Sequence, residues 1–315
     1  MTSKILISEV GPRDGLQNCK AVMPTSVKKR WIEGLYEAGL REIEVGSFVP
    51  PKLFPQLADT AEIVAFAKGF PDLCVLALIP NLRGAQAALD AGVDAVTLPL
   101  SASEPHSLKN MRQSHDQVIE NVKAIRTLFN GAPKAERPRF EVGLSTAFGC
   151  SIAGEVPEET VLKLAGRLVE AGADELGLSD TVGYANPVQV KRLINKVRGE
   201  IGHSRVKSVH LHNTHGLGIA NAFAAFEEGI TVFDSSQGGL GGCPASPGAS
   251  GNIVTEDLVY MFESMGVKTG VDLKKLMALR TIIEQGLPEE ELYGFTPKAG
   301  LPKTFLPIDQ PSQTS

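Results

Sequence analysis

Short β-prone apolar runs alternate along the chain with longer amphipathic ones, and the rhythm repeats eight times. The strand-like runs cover residues 5–10, 42–45, 74–79, 95–100, 139–144, 175–178, 206–212 and 232–235. Between them, residues 27–38, 85–91, 117–129, 161–171, 188–197 and 221–228 have the apolar spacing of helices with one buried face. A phrase recurs where helix gives way to strand: Glu37-Ala38-Gly39, Asp90-Ala91-Gly92, Glu170-Ala171-Gly172 and the variant Glu227-Glu228-Gly229. Each glycine is placed to close a helix in the left-handed conformation. Eight β-α units predict a parallel sheet closed into a (β/α)8 TIM barrel. The competing fold is an open doubly wound sheet. That fold usually carries a dinucleotide fingerprint after its first strand, and Gly11-Pro12-Arg13-Asp14-Gly15 lacks it.

The barrel is expected to occupy residues 1–270, with 271–315 forming additional C-terminal helices and a tail. Residues 255–265 and 273–285 read as helices packed outside the barrel, and prolines from Pro297 onward predict an extended terminus.

Composition narrows the class. The 315 residues are 43% hydrophobic and 21% charged, as in an ordinary globular protein. A net charge of −5 without a basic cluster argues against nucleic acid as a partner. No apolar run is long enough to cross a bilayer, and the amino terminus reads directly into a strand, with no targeting segment. Cys19, Cys74, Cys150 and Cys243 are widely spaced and fit a reducing, cytoplasmic setting.

Within the seventh strand, Val209-His210-Leu211-His212-Asn213 points two imidazoles to one face. Such a pair suits a metal ion; the competing reading is two hydrogen-bonded histidines in the core. In a barrel the active site is built at the carboxyl ends of the strands. Those ends supply Arg13, Asp14, Glu44, Ser47, Ser145, Thr146, Asp180, Asp234 and Ser235 besides the histidines. A carboxylate, two imidazoles and an arginine in one mouth make a metal site with an electrophilic helper, unless Arg13 and Asp14 merely pair to fix their loop.

After the eighth strand comes Gln237-Gly238-Gly239-Leu240-Gly241-Gly242-Cys243-Pro244, followed by a small-residue stretch to Asn252. It is not a P-loop, since no Gly-Lys-Ser/Thr follows. It reads as a phosphate cradle or as a lid that delivers Cys243 as an acid, base or nucleophile and Asn252 as an oxygen donor.

These residues carry a resemblance. The chain resembles the 3-hydroxy-3-methylglutaryl-CoA lyases, metal-dependent carbon–carbon lyases built on the TIM barrel, from about Ile7 to about Gly270. The resemblance rests on Gly11-Pro12-Arg13-Asp14-Gly15-Leu16-Gln17-Asn18, Ile43-Glu44, Ser47-Phe48-Val49, Ser179-Asp180-Thr181, the His-x-His pair and the Gly239–Pro244 glycine-cysteine loop. It implies a divalent cation, Mg2+ or Mn2+, held by Asp14, His210, His212 and Asn252. It gives Arg13 the thioester carbonyl, makes Asp14, His210 and Cys243 candidates for proton transfer, and makes Glu44, Asp180 and Glu256 supporting groups of the catalytic site. It further implies an acyl-CoA substrate and a homodimer.

The chain also departs from the family pattern, with Ala245 where tyrosine is usual, Ser236-Gln237-Gly238 before the glycines and Asn213-Thr214-His215 after the second histidine. None removes a ligand or Arg13, but together they leave the acyl group open. Alternatives to hydroxymethylglutaryl-CoA are citramalyl-CoA or a longer branched hydroxyglutaryl-CoA. Rival activities are a condensing synthase of the same superfamily and a silent binding barrel.

Overall fold

Eight parallel strands close into a barrel in sequence order, β1 pairing with β8. They are β1 Leu6–Glu9, β2 Glu42–Ser47, β3 Cys74–Leu78, β4 Ala95–Ser101, β5 Arg139–Ser145, β6 Glu175–Asp180, β7 Val206–Leu211 and β8 Val232–Ser235. The computed structural model describes residues 4–241 and 251–306.

The helices around the barrel are α1 Thr25–Glu37, α2 Thr60–Ala67, α3 Leu82–Ala91, α4 Glu104–Asn110, α5 His115–Gly131, α6 Glu158–Ala171, α7 Pro187–Ile201 and α8 Gly218–Glu227. Their apolar faces form one core with the outer faces of the strands, centred on fully buried side chains such as Trp31, Phe129, Phe140 and Phe233. All four glycines of the recurring joint have positive φ, from 75° at Gly92 to 110° at Gly172. That conformation closes each helix three residues before the next strand begins.

Two helices escape the periodic pattern. α2 is apolar on several faces, so its sequence lacks a clear stripe, and α4 is short and polar with Pro105 in its first turn. The predicted helix over 273–285 is two helices, α10 Leu273–Ala278 and α11 Arg280–Gly286, which follow α9 Thr255–Ser264. The predicted extended tail is also interrupted, because Pro297 sits inside a short helix, α12 Phe295–Ala299. Proline is tolerated there because first-turn amides need no intrahelical partner. Among the described residues no helix is long and apolar enough to cross a membrane.

Charged side chains close one end of the barrel. At its amino-terminal end Arg139 pairs with Glu42 at 2.6 Å and with Glu175 at 3.0 Å, and Lys207 also reaches Glu175. These ion pairs form a floor. Above it a cavity of about 150 Å³ runs up to the carboxyl-terminal mouth.

Candidate active site at the barrel mouth

The first strand ends in a tight turn that aims two charged side chains inward. The carbonyl of Val10 accepts bonds from the amides of Arg13, Asp14 and Gly15 at 3.1, 2.7 and 3.4 Å, the wide turn of a π-helix. Arg13 Nε then donates to Glu44 Oε2 at 2.6 Å and its Nη1 to Asp14 Oδ1 at 2.6 Å. The guanidinium is buried between two carboxylates, so its plane and position are fixed.

Beneath that turn lies a carboxyl group that sequence reading missed. Glu9 Oε1 accepts the amides of Gly11 and Gln237, both at 2.9 Å, and Oε2 accepts the Thr255 hydroxyl at 2.7 Å. It thereby ties the turn after β1 to the segment after β8 and to the start of α9. In the sequence it stands alone in the β-prone run over residues 5–10, with no motif to mark it.

Burial pushes the Glu9 carboxyl from 4.5 up to about 8, outweighing the bonds it accepts. Below about pH 4.5 folded and unfolded chains both hold this proton; above it the unfolded chain releases the proton first. The folded state therefore loses stability through this group as pH rises toward 8. In urea titrations at about pH 5 and pH 8, Glu9→Gln should show a smaller drop in stability than the parent protein. Equal drops would mean that Glu9 is ionised in the fold.

The histidines leave β7 on the same side. His210 Nδ1 lies 3.1 Å from Asp234 Oδ2, which orients the ring, and its Nε2 faces His212 Nε2 at 3.2 Å and Asp14 Oδ2 at 3.9 Å. Burial favours the neutral ring, but the Asp234 bond and the Asp14 charge prevail and raise the His210 pKa above its usual 6.5. Burial likewise works against ionising Asp14, and Arg13 with the two histidines reverses this and holds it below the usual carboxylate range. For Glu44 burial wins over Arg13, and its pKa rises to about 7.

Asn252 reaches this cluster by a route invisible in the sequence. Residues 251–254 return between the ends of β7 and β8: Ile253 donates its amide to Leu211, and Ser236 donates to Ile253. His212 and Asn252 thus face each other as a bridge pair. Asn252 Nδ2 donates to Asp14 Oδ2 at 2.6 Å, while its Oδ1 is buried without a partner. One ligand atom from each of Asp14, His210 and His212 lies within 4.8 Å of the others. A carboxylate, two imidazoles and a buried amide oxygen with no donor fit a divalent cation, and the absence of thiolate suits a hard or borderline one.

The other anticipated residues divide. Ser145 and Asp234 line the cavity with the cluster. Asp180 does not: its carboxylate accepts the amides of Tyr184 and Ala185 at 2.9 and 3.1 Å and shapes the loop after β6, although burial lifts it to about 6. Glu256 also lies outside the cavity lining. It accepts the Gly238 amide and pairs with Arg280 at 2.8 Å, holding the glycine turn after β8. The Thr146 and Ser235 hydroxyls bond Ser103 and Thr255 locally, and Ser47 meets Thr60 through its backbone.

Gln237 is spent on packing. Its Oε1 takes the Trp31 indole N–H at 2.7 Å and its amide donates to Leu276, so it offers nothing to the cavity. His215 bonds the Gly183 carbonyl on the rim. Cys19 and Cys74 are free thiols pushed up to about 12 by burial, and the Cys150 sulfur accepts the amides of Ile152 and Ala153. Cys243 and Ala245 lie outside the described residues. Further polar groups line the cavity unforeseen, among them His106, Glu141 and Ser208.

The chain matches the family model described as HMGL-like over residues 4–283. It is similar to the hydroxymethylglutaryl-CoA lyase YngG of Bacillus subtilis strain 168, at 42% identity over 90% of this chain and 93% of that one. It is also 39% identical to the human mitochondrial hydroxymethylglutaryl-CoA lyase over 91% of this chain and 87% of that one. Among solved structures it superposes with TM-score 0.90 on an HMG-CoA lyase from Acinetobacter baumannii in complex with coenzyme A and 3-methylmalate. That match has 39% identity over 98% of this chain and all of the other.

Proposed function

Because the chain belongs to the HMGL-like family, we propose that it cleaves 3-hydroxy-3-methylglutaryl-CoA to acetyl-CoA and acetoacetate, and we assign the chemistry to the cluster at the barrel mouth. The observation that carries the reading is Arg13 clamped by Glu44 and Asp14 beside an ion-binding set of Asp14, His210, His212 and Asn252. The substrate is an acyl-CoA, as the coenzyme A bound to the A. baumannii relative supports.

Cleavage needs three things: loss of the 3-hydroxyl proton, rupture of the C2–C3 bond, and a home for the electron pair it releases. Asp14, His210, His212 and Asn252 would hold a divalent cation, Mg2+ or Mn2+, which would supply Lewis acidity for the cleavage. Arg13 receives the thioester carbonyl and stabilises the negative charge that grows on it as acetyl-CoA leaves as its enolate. Glu44 and Asp14 hold the guanidinium so that no reorganisation is needed when that charge appears.

Proton transfer falls to Asp14, His210 and Cys243. Asp234 occupies His210 Nδ1, so the ring's free nitrogen is the one aimed at the ion-binding set. Asp14 and His210, both in that set, are the candidate acceptors of the hydroxyl proton, and Cys243 is the candidate acid that delivers a proton to C2 of the enolate. Asp180 and Glu256 act through the loops they hold. A cytoplasmic homodimer completes the proposal.

The test is product stoichiometry. Purified protein given 3-hydroxy-3-methylglutaryl-CoA should release acetyl-CoA and acetoacetate in equal amounts, read by coupled enzymatic detection of each. Release of free coenzyme A without acetoacetate would point to thioester hydrolysis instead.

A further inference from the structure

Below the ion-binding cluster the cavity continues inward to a recess that the cleavage step does not use. Ser208 precedes His210 by two residues on β7, one inward-facing step of roughly 7 Å toward the floor. Its hydroxyl donates to Glu141 Oε1 at 2.7 Å, and both residues line the cavity. That is the only hydrogen bond of the Glu141 side chain among the described residues, and the residue is 9% exposed.

Two strand glycines show that this recess is built. A Cβ at Gly177 would lie 2.5 Å from Glu141 Oε1 and 2.6 Å from Ser208 Oγ, so β6 gives up a side chain to seat the pair. A Cβ at Gly143 would meet only Thr97 Cγ2, at 3.6 Å, so this position leaves the recess open. Glycine inside a strand weakens it and marks close approach by another group. Leu76, Leu78 and Pro99 supply apolar lining to the same cavity.

Burial, reinforced by the charge of Asp234, lifts the Glu141 carboxyl to about 8, so near neutral pH it holds a proton. A hydroxyl suits such a group, since it can accept from the acid or donate to the carboxylate. A methyl would leave the recess unfilled, and a purely apolar branch would bury the carboxyl unmatched.

We propose that the recess is the subsite for the C3 branch of the acyl-CoA, and that it accepts a 3-hydroxyglutaryl-type thioester whose branch is longer than methyl and ends in a hydroxyl. The inference rests on the lyase reading above. Three thioesters test it: 3-hydroxy-3-methylglutaryl-CoA and its counterparts with 2-hydroxyethyl or propyl in place of the C3 methyl. The last two match in size and differ only in the terminal group.

The protein should prefer hydroxyethyl over propyl by about tenfold or more in kcat/KM. Glu141→Leu should collapse that ratio, and Ser208→Ala should reduce it with less risk to folding. Gly143→Val should cut the hydroxyethyl-to-methyl ratio by about tenfold, because it fills the recess. Calorimetric binding of the same thioesters to the same proteins gives the ratios independently of turnover. Propyl equal to or better than hydroxyethyl, or ratios unmoved by all three substitutions, overturns the subsite. If the methyl substrate is cleaved while those ratios stay flat, the subsite fails and the lyase reading stands. If nothing is cleaved, the lyase reading fails and the binding ratios still judge the recess.

Discussion

Arg13→Met is expected to lower kcat by about a hundredfold or more while KM changes far less, because the lost interaction belongs to charge that exists only in the transition state. Arg13→Lys should be nearly as damaging. A lysine keeps the charge but cannot fill the places of Nε and Nη1, which meet Glu44 and Asp14 at 2.6 Å each. Removing the guanidinium also leaves Glu44 buried without its partner, a change that typically costs roughly 3–5 kcal/mol unless the carboxyl takes up a proton. Glu44, already near 7, can do so. Thermal unfolding measured beside the kinetics separates loss of chemistry from loss of fold. A large rise in KM with kcat preserved would reassign Arg13 to binding the coenzyme A portion.

His212→Ala should be at least as costly. It removes one imidazole from a set of four ligands, and the Lewis acidity at stake is worth several kcal/mol, or about a thousandfold or more in rate. His210→Ala should do the same. Asp234→Asn is the informative contrast: Asp234 touches no ion in this scheme and only orients His210 through a 3.1 Å contact. Loss of such an outer partner costs roughly 10–100-fold in metal affinity or activity. Mn2+ binding followed by electron paramagnetic resonance should therefore weaken in the order His212→Ala before Asp234→Asn, with the barrel's far-ultraviolet circular dichroism unchanged. Equal Mn2+ affinity in the parent and His212→Ala proteins would remove His212 from the ligand set.

Strand positions and most helices were legible because burial on one side imposes a period of two or 3.6 on the chain. The pattern failed where that condition fails: α2 is apolar on more than one face, and α4 is too short and polar to show a stripe. Within the site, Arg13, Asp14, His210 and His212 could be read because each sits at or just past the carboxyl end of a strand; Glu44 was also named, though it lies inside β2. Asn252 was named, yet its approach depends on residues 251–254 returning between β7 and β8, a path no local pattern encodes. Gln237, one of the departures that left the acyl group open, is engaged by the Trp31 indole. Glu9 and Glu141 were missed because an isolated acidic residue in an apolar strand carries no motif. Each could have been found by asking what an inward carboxyl at that strand position would do.

The central claim is that one cation held by Asp14, His210, His212 and Asn252 is required for the cleavage that Arg13 assists. The direct measurement titrates metal-stripped protein with Mn2+, following bound Mn2+ by electron paramagnetic resonance and acetoacetate formation in the same samples. The account predicts one bound Mn2+ per chain and activity that rises from near zero in proportion to occupancy. Full turnover in the metal-free protein, or activity that does not track bound Mn2+, would contradict it.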